Sequence, residues 1–438
     1  MRSGDPLAAD LAALVAIPSV SSPAPARDAL AAAAGWLARR LAGLGAQRVA
    51  VRWAAGSPVV LAERCGPPGA PTVLGYGHFD VVAPGPRRSW SAPPFRAIRR
   101  DGLIFGRGTA DDKGPVLAQL QAARDSAAVG WKFVYEGAEE VGSPGLARLL
   151  PRLAGWLADV DAVLVCDTEA TADGQPTITC SLRGQVTVEL TTRGAGRSLH
   201  AGRYGGAVPN PAQALAHLVA SLHRPDGRIA IRGFADDVRT VPPLGAAELD
   251  RRLASVARPG WGEPGRGPAE QVTVWPALVV NALCAGDCRA GPWNIISAEA
   301  RGKINVRLVP DQRPAAVFRQ LAAHLAGHAP PGITVGLRRL AATRPWVATR
   351  LDGPAMRAAA AAVREVWGRP LALVRSGGTV SAVSLLARAL PRAEILLLGF
   401  TRPGDGAHAP DEHVELARLR AAADTMTRLT ERLAEETP

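Results

Sequence analysis

The sequence predicts an α/β domain built on a mostly parallel sheet flanked by helices, with a smaller α+β domain inserted into it. Three observations carry that expectation. Helical and strand patterns alternate over residues 1–184, half-exposed strands take over across 185–341, and the first pattern resumes over 342–438. A chain of 438 residues is also too long for one compact core, so more than one domain is expected.

In the first segment LAADLAALVAI and DALAAAAGWLARRLAGL place apolar residues at helical spacing, whereas TVLGYGH, WKFVYEG and DAVLVCD are apolar runs of strand length. SPGLARLLPRLAGWLA, between the last two, reads as a helix. Strands separated by helices argue for a parallel sheet covered on both faces. From Gln185 the alternation in QVTVELTTRG marks a strand with one exposed face, followed by the helix PNPAQALAHLVASLH. After a Pro/Gly-rich insertion near 240–270, ARGKINVRLVP, DQRPAAVFRQLAAHLAGHAP and ITVGLRRL repeat strand, helix and strand. Such a unit is a small α+β domain whose sheet can present one edge to a partner. AMRAAAAAVREVWG, AEILLLGF and HVELARLRAAADTMTRLTERLAEE then complete the first domain.

Composition excludes several function classes. With 47% hydrophobic residues and 46 glycines the chain reads as an ordinary globular protein. The net charge is +12, but it comes from arginines spread along the chain; the lysines are Lys113, Lys132 and Lys303. Aromatics make up 5%, and no basic stripe is interleaved with stacking rings, so no nucleic-acid partner is expected. No apolar run reaches membrane-spanning length and no secretory signal is seen, so a cytoplasmic protein without a membrane partner is expected. Cys65, Cys166, Cys180, Cys284 and Cys288 are irregularly spaced and read as reduced thiols without a shared role.

Candidate metal-binding segments sit where the strands end. His78 and Asp80 follow TVLGYG, Glu139 and Glu140 follow WKFVYEGA, Asp167 ends DAVLVCD, and His408 lies in DGAHAPDEH after AEILLLGF. Ligands of open α/β sheets bind outside the carboxyl ends of the strands, so these pieces can converge. Asp111, on the Gly-rich loop GRGTADDKGP, adds a further carboxylate. Imidazoles mixed with carboxylates and no thiolate suit catalytic zinc, with manganese or cobalt as substitutes, better than a closed structural site. Each segment alone is weak. GRGTADDKG superficially suggests a phosphate cradle, but it lacks both the GK[ST] ending and the GxGxxG spacing.

Taken together, GHFDVV, GRGTADDKGP, EGAEEVGSPG, the aspartate of VCDTEAT and GAHAPDEH resemble the motifs of the aminoacylase/carboxypeptidase G family of dinuclear zinc metallopeptidases. SLHAGRYGGAVPNP and PTITCSLRG are similar to its carnosinase-like, cytosolic non-specific dipeptidase branch. The resemblance spans nearly the whole chain. It implies a zinc-peptidase catalytic domain over 1–184 and 342–438, with a ferredoxin-like lid and dimerisation domain over 185–341. It implies two Zn2+ per chain, with Mn2+ or Co2+ as substitutes: His78 and Asp167 on one ion, Glu140 and His408 on the other, and Asp111 bridging. Two such ions, about 3.5–4 Å apart, share a water, lower its pKa and polarise the amide carbonyl. Glu139 would take the proton from that water and deliver it to the leaving nitrogen. Asp80 would accept from the far nitrogen of His78 and fix the ring. A cis peptide after Asp111 is implied as well.

The inserted domain would supply the substrate side. By resemblance His200 reaches across a homodimer to stabilise the oxyanion, Asn294 contacts substrate, and Arg307 clamps the terminal carboxylate with its forked guanidinium. The backbone N–H groups of Ser376, Gly377 and Gly378 would hold the same carboxylate. His217, His223, His324, His328 and His413 read as non-ligands. Two departures touch the substrate side: Arg375 stands where the family commonly has an acid, and Ile295-Ile296-Ser297 replaces its usual VIP. The expected reaction is hydrolysis of the amide bond of a dipeptide or short peptide with a free C-terminal carboxylate. The alternative is an amidohydrolase or deacylase acting on an N-acyl amino acid or a specialised metabolite, which would use the same metal-binding residues.

Overall fold

The computed structural model describes residues 5–239, 241–258, 260–286 and 294–436. Cys288 lies outside the described residues. The chain forms two compact units, one of Met1–Cys180, Ala348–Val374 and Val380–Pro438, the other of Ser181–Val347 and Arg375–Thr379.

The first unit is built on a mixed sheet. Glu394–Thr401, Val160–Glu169, Thr72–His78 and Gly130–Glu136 lie side by side and parallel at its centre. These are the apolar runs of the sequence. Gly130–Glu136 is buried along its whole length, as expected of a strand covered on both faces. The flanks are antiparallel: Thr177–Leu182 pairs with Glu394–Thr401, and the hairpin Arg48–Ala54/Ser57–Arg64 lies beyond Gly130–Glu136. The sequence reading did not include that hairpin. It turns on Ala55 and Gly56, both at positive φ (48° and 85°), the conformation a two-residue hairpin turn demands. Helices Pro6–Val15, Arg27–Gly43, Lys113–Asp125, Pro354–Trp367 and Leu416–Glu436 cover the sheet. Leu416–Glu436 packs on both Lys113–Asp125 and Pro354–Trp367.

The second unit is an antiparallel sheet in the order Ala277–Ala285, Glu299–Leu308, Gly184–Arg193, Thr334–Thr343. With helices Pro211–Ser221 and Pro314–Gly327 the chain order is strand-helix-strand-strand-helix-strand, the ferredoxin-like arrangement that was expected. Val186, Val188 and Leu190 alternate inward and meet Ile304, Val306 and Leu308, with Leu215, Leu218, Val317 and Leu321 from the two helices. Among the described residues no helix is long and apolar enough to cross a membrane. Cys65, Cys166, Cys180 and Cys284 form no disulfide.

Candidate metal centre

The parallel strands end at one rim of the sheet, and each delivers part of a cluster of carboxylates and imidazoles. His78 is the last residue of Thr72–His78, and Asp167 lies near the end of Val160–Glu169. Glu139 and Glu140 form a short helical turn just beyond Gly130–Glu136, closed by Gly142 and Ser143 at positive φ. Glu394–Thr401 runs through Pro403–Asp405 to His408. Asp111 sits on the loop before helix Lys113–Asp125, and its peptide bond to Asp112 is cis.

Distances draw these residues together. His78 Nε2 is 3.0 Å from Asp111 Oδ1 and 4.0 Å from Asp167 Oδ2. The other oxygen of Asp111, Oδ2, is 3.0 Å from His408 Nε2, which is also 3.0 Å from Glu140 Oε1. Donor atoms of His78, Asp111 and Glu140 all lie within 4.8 Å of one another, as do those of His78, Glu139 and Asp167. Two ligands each about 2.0–2.2 Å from a tetrahedral zinc are themselves about 3.3 Å apart, so these spacings suit donors sharing an ion.

The electrostatics point the same way. Burial works against charge on the His78 ring, yet the Asp111 and Asp80 carboxylates outweigh it and hold its pKa well above the ordinary value. Asp111 and Glu140 push His408 up to about 10. Burial, then the neighbouring Asp111 charge, raises Asp167 well above the carboxylate range, and burial raises Glu139 likewise. Asp111 itself is held low, because the two imidazoles beside it, His408 and His78, overcome its burial. The carboxylates of the cluster outnumber its imidazoles. His78 Nε2 is buried and makes no well-formed hydrogen bond, although Asp111 Oδ1 is only 3.0 Å away. A buried ring nitrogen aimed at carboxylates without bonding them is placed as a metal ligand would be, and the donor set fits divalent cations.

Asp80 is tied differently from the expectation. His78 Nδ1 lies 3.0 Å from the Asp80 carbonyl oxygen and 3.5 Å from its carboxylate Oδ1. The carboxylate instead accepts from the backbone: Glu139 N–H donates to Oδ1 (3.0 Å) and Glu140 N–H to Oδ2 (3.2 Å). Other supporting groups escaped the sequence reading. Asp112 is buried and accepts from the His78 backbone N–H at 3.0 Å. That contact requires Gly77, where a Cβ would stand 2.7 Å from Asp112 Oδ2 and 2.5 Å from Val116 Cγ2. Lys113 is buried and donates to the Leu14 and Ile17 carbonyls (3.0 and 2.8 Å). Glu412 is buried among the amides of the Asp111 loop. The Gly-rich loop GRGTADDKGP, whose backbone amides would need an acceptor, was the signal for it in the sequence.

Within the second unit, His200 is exposed and its Nδ1 accepts from Gly202 N–H at 3.1 Å. Asn294, also exposed, accepts from Ala201 N–H at 2.8 Å through its carbonyl oxygen. Arg307 Nη1 donates to Thr379 Oγ1 (3.0 Å), and that hydroxyl donates to the Arg183 carbonyl (2.6 Å). Gly378 N–H is already donated to Ser376 Oγ (3.0 Å), while Gly377 offers its carbonyl to Arg183 Nε (3.1 Å). Arg375 is anchored on the Pro242 carbonyl and Ser181 Oγ (2.8 and 3.1 Å). His223, His324, His328 and His413 each bond a backbone carbonyl.

Comparison with known proteins agrees with this geometry. The sequence matches the pattern of Peptidase family M20/M25/M40 over residues 74–432. The chain is 28% identical over 378 residues to the Cys-Gly metallodipeptidase dug1 of Schizosaccharomyces pombe, covering 82% of this chain and 79% of that protein. It is 26% identical over 375 residues to the Beta-Ala-His dipeptidase of Rattus norvegicus, covering 82% and 76%. The fold matches the crystal structure of human carnosine dipeptidase 1 with a TM-score of 0.82 at 25% identity, over 98% of this chain and 96% of that one. The resemblance read from the motifs is borne out: the chain belongs to Peptidase family M20/M25/M40 and is a metallopeptidase, a hydrolase whose family works with divalent metal ions.

Proposed function

We propose that this protein is a dinuclear-metal dipeptidase that cleaves the amide bond of a dipeptide or short peptide with a free C-terminal carboxylate. One observation carries the reading: the two oxygens of Asp111 each lie 3.0 Å from a different imidazole, His78 and His408. A carboxylate so placed is a bridge between two cation positions, one completed by Asp167 and the other by Glu140. Two ions there, zinc being the best match to a set of imidazoles and carboxylates, would polarise the amide carbonyl and make water a nucleophile near neutral pH. Glu139 reaches the same cluster and is buried out of its ordinary carboxylate range. Its role is to take the proton of the attacking water and hand it to the leaving nitrogen. Asp80 fixes the turn that carries both Glu139 and Glu140.

In the second unit, residues 185–341 serve as lid and dimerisation domain. Arg307, held by Thr379, binds the substrate carboxylate with the Ser376-Gly377-Gly378 loop, and Asn294 lies on the substrate side. Because His200 Nδ1 accepts a hydrogen bond, its proton is on Nε2, where it can serve an oxyanion. The edge strand Ala277–Ala285 exposes Val279 and Leu283 (49% and 54%), which supports assembly of a homodimer through that edge. Among the described residues the cysteines form no disulfide, which suits the cytoplasm. The names of the relatives, Cys-Gly metallodipeptidase and Beta-Ala-His dipeptidase, favour dipeptides over N-acyl amino acids.

The test is a hydrolysis screen of dipeptides against N-acyl amino acids, on protein loaded with zinc or manganese and assayed for metal content. Two ions per chain and dipeptide turnover are expected, with Glu139→Gln keeping the metal while losing about 10²–10⁴ in kcat. Preferred turnover of N-acyl amino acids would replace the dipeptide by the deacylase reading. Fewer than two ions would remove the dinuclear site.

A further inference from the structure

The loop Gly106–Asp111 looks in sequence like a cradle for phosphate, and in the structure it is a cradle already filled by the protein's own carboxylate. Glu412 is fully buried. Its Oε2 accepts from Arg107 Nη1 (2.7 Å) and Gly108 N–H (2.9 Å), and its Oε1 from Ala110 N–H (2.9 Å) and Asp111 N–H (3.1 Å). Its backbone carbonyl takes Gly106 N–H at 2.8 Å. Gly108 stands at φ +90°, and this turn helps aim the amides of the loop at one point. Arg107 is itself buried, stacked 5.1 Å from the Trp90 ring.

We infer that Glu412 is a positioning residue of the metal centre: it sets where the Asp111 carboxylate stands between His78 and His408. The direct bond from the Asp111 amide fixes the backbone of the residue whose two oxygens face the two imidazoles. Chain connectivity does the rest. Glu412 lies on the same short loop as His408, so a single carboxylate ties together the loop of Asp111 and the loop of His408, whose side chains approach to 3.0 Å. No other group accepts from the amides of Gly108, Ala110 and Asp111 among the hydrogen bonds of the described residues. An amide in place of the carboxylate offers one acceptor oxygen and turns its NH2 toward donors, so part of the cradle must open. The inference rests on the proposed reading of Asp111 as a bridge.

The experiment uses the full-length chain, freed of metal with a chelator and titrated calorimetrically with Zn2+, while circular dichroism follows the fold and melting of the metal-free protein. Wild type is expected to take up two ions per chain. Glu412→Gln is expected to keep the wild-type spectrum and weaken Zn2+ binding about 10- to 100-fold, the range for groups that orient metal ligands. Glu412→Asp, which keeps the charge but cannot span both pairs of donors, serves as second variant and should also bind more weakly. A residue that merely stabilises the fold would lower the melting temperature of these variants and leave Zn2+ affinity untouched. Wild-type affinity in either folded variant therefore overturns the inference. So does failure of both to fold even with Zn2+ present, which would make Glu412 a folding residue. Fewer than two ions on wild type would strike at the bridged site itself rather than at the role of Glu412 within it.

Discussion

Replacing Asp80 by asparagine is the sharpest test of how this site is held, because the change is nearly isosteric and its consequences divide between two measurable properties. In the native site each carboxylate oxygen takes one backbone N–H, from Glu139 at 3.0 Å and from Glu140 at 3.2 Å. Asparagine keeps one acceptor and sets an NH2 against the other amide. One bond to a charged group is lost and a donor is left unmet in a fully buried place, at a cost of about 1.5–3 kcal/mol. With 1.36 kcal/mol per factor of ten, that is about a 10- to 150-fold effect. If the Glu140 amide is the one released, the effect appears in metal affinity; if the Glu139 amide, it appears in kcat at saturating metal. The assay is therefore a Zn2+ titration of metal-free Asp80→Asn, followed by dipeptide turnover at saturating Zn2+. KM should stay near the wild-type value, since Asp80 binds the turn and not the substrate. A folded variant whose Zn2+ affinity and kcat both remain within threefold of wild type would refute the reasoning.

Two further predictions concern the second unit. Thr379→Val removes the hydroxyl that accepts from Arg307 and donates to the Arg183 carbonyl; KM for a dipeptide should rise about tenfold with kcat largely kept, and an unchanged KM would detach Arg307 from substrate binding. Ile304→Ala empties a fully buried position that pairs with Val188 across the sheet, and denaturant melts should show a loss of about 2–5 kcal/mol. Its Zn2+ uptake should match wild type, because the metal cluster belongs to the other unit.

The sequence announced those parts of the fold in which one pattern had one cause. Gly130–Glu136 and Glu394–Thr401 are mostly apolar and buried nearly end to end because both faces are covered, and Val186, Val188 and Leu190 alternate because one face is. Ala277–Ala285 was invisible because Val279 and Leu283 face outward at a sheet edge, which breaks the link between apolar and buried. Lys113–Asp125 was hidden for the opposite reason: it buries Lys113 and Gln119, so its polar positions do not mark a solvent face. The candidate cluster was legible because its members sit at strand ends or on the loops next to them, within short motifs. Its supports were not, since whether Glu412 is a surface acid or a buried acceptor depends on amides some 300 positions earlier in the chain. Asp80, expected to orient the His78 ring, spends its carboxylate on the Glu139 and Glu140 amides more than on that ring.

That difference exposes a division of labour among the buried acids. Asp80, Asp112 and Glu412 accept backbone N–H groups, bonds that are present whether or not a cation is bound. Asp111, Glu140 and Asp167 turn toward the imidazoles instead, and burial drives Asp167 far from its ordinary range. The first set holds the loops in place before any ion arrives. The second set gathers carboxylates around two imidazoles, a donor set that suits a divalent cation. Because the bonds of the first set already hold the loops, little of an ion's binding energy would be spent on rearrangement. Disturbing an acceptor of the first set should thus loosen the metal without removing a ligand, and that is why Asp80 and Glu412, neither of them a metal ligand, are the positions at which this account is most exposed to experiment.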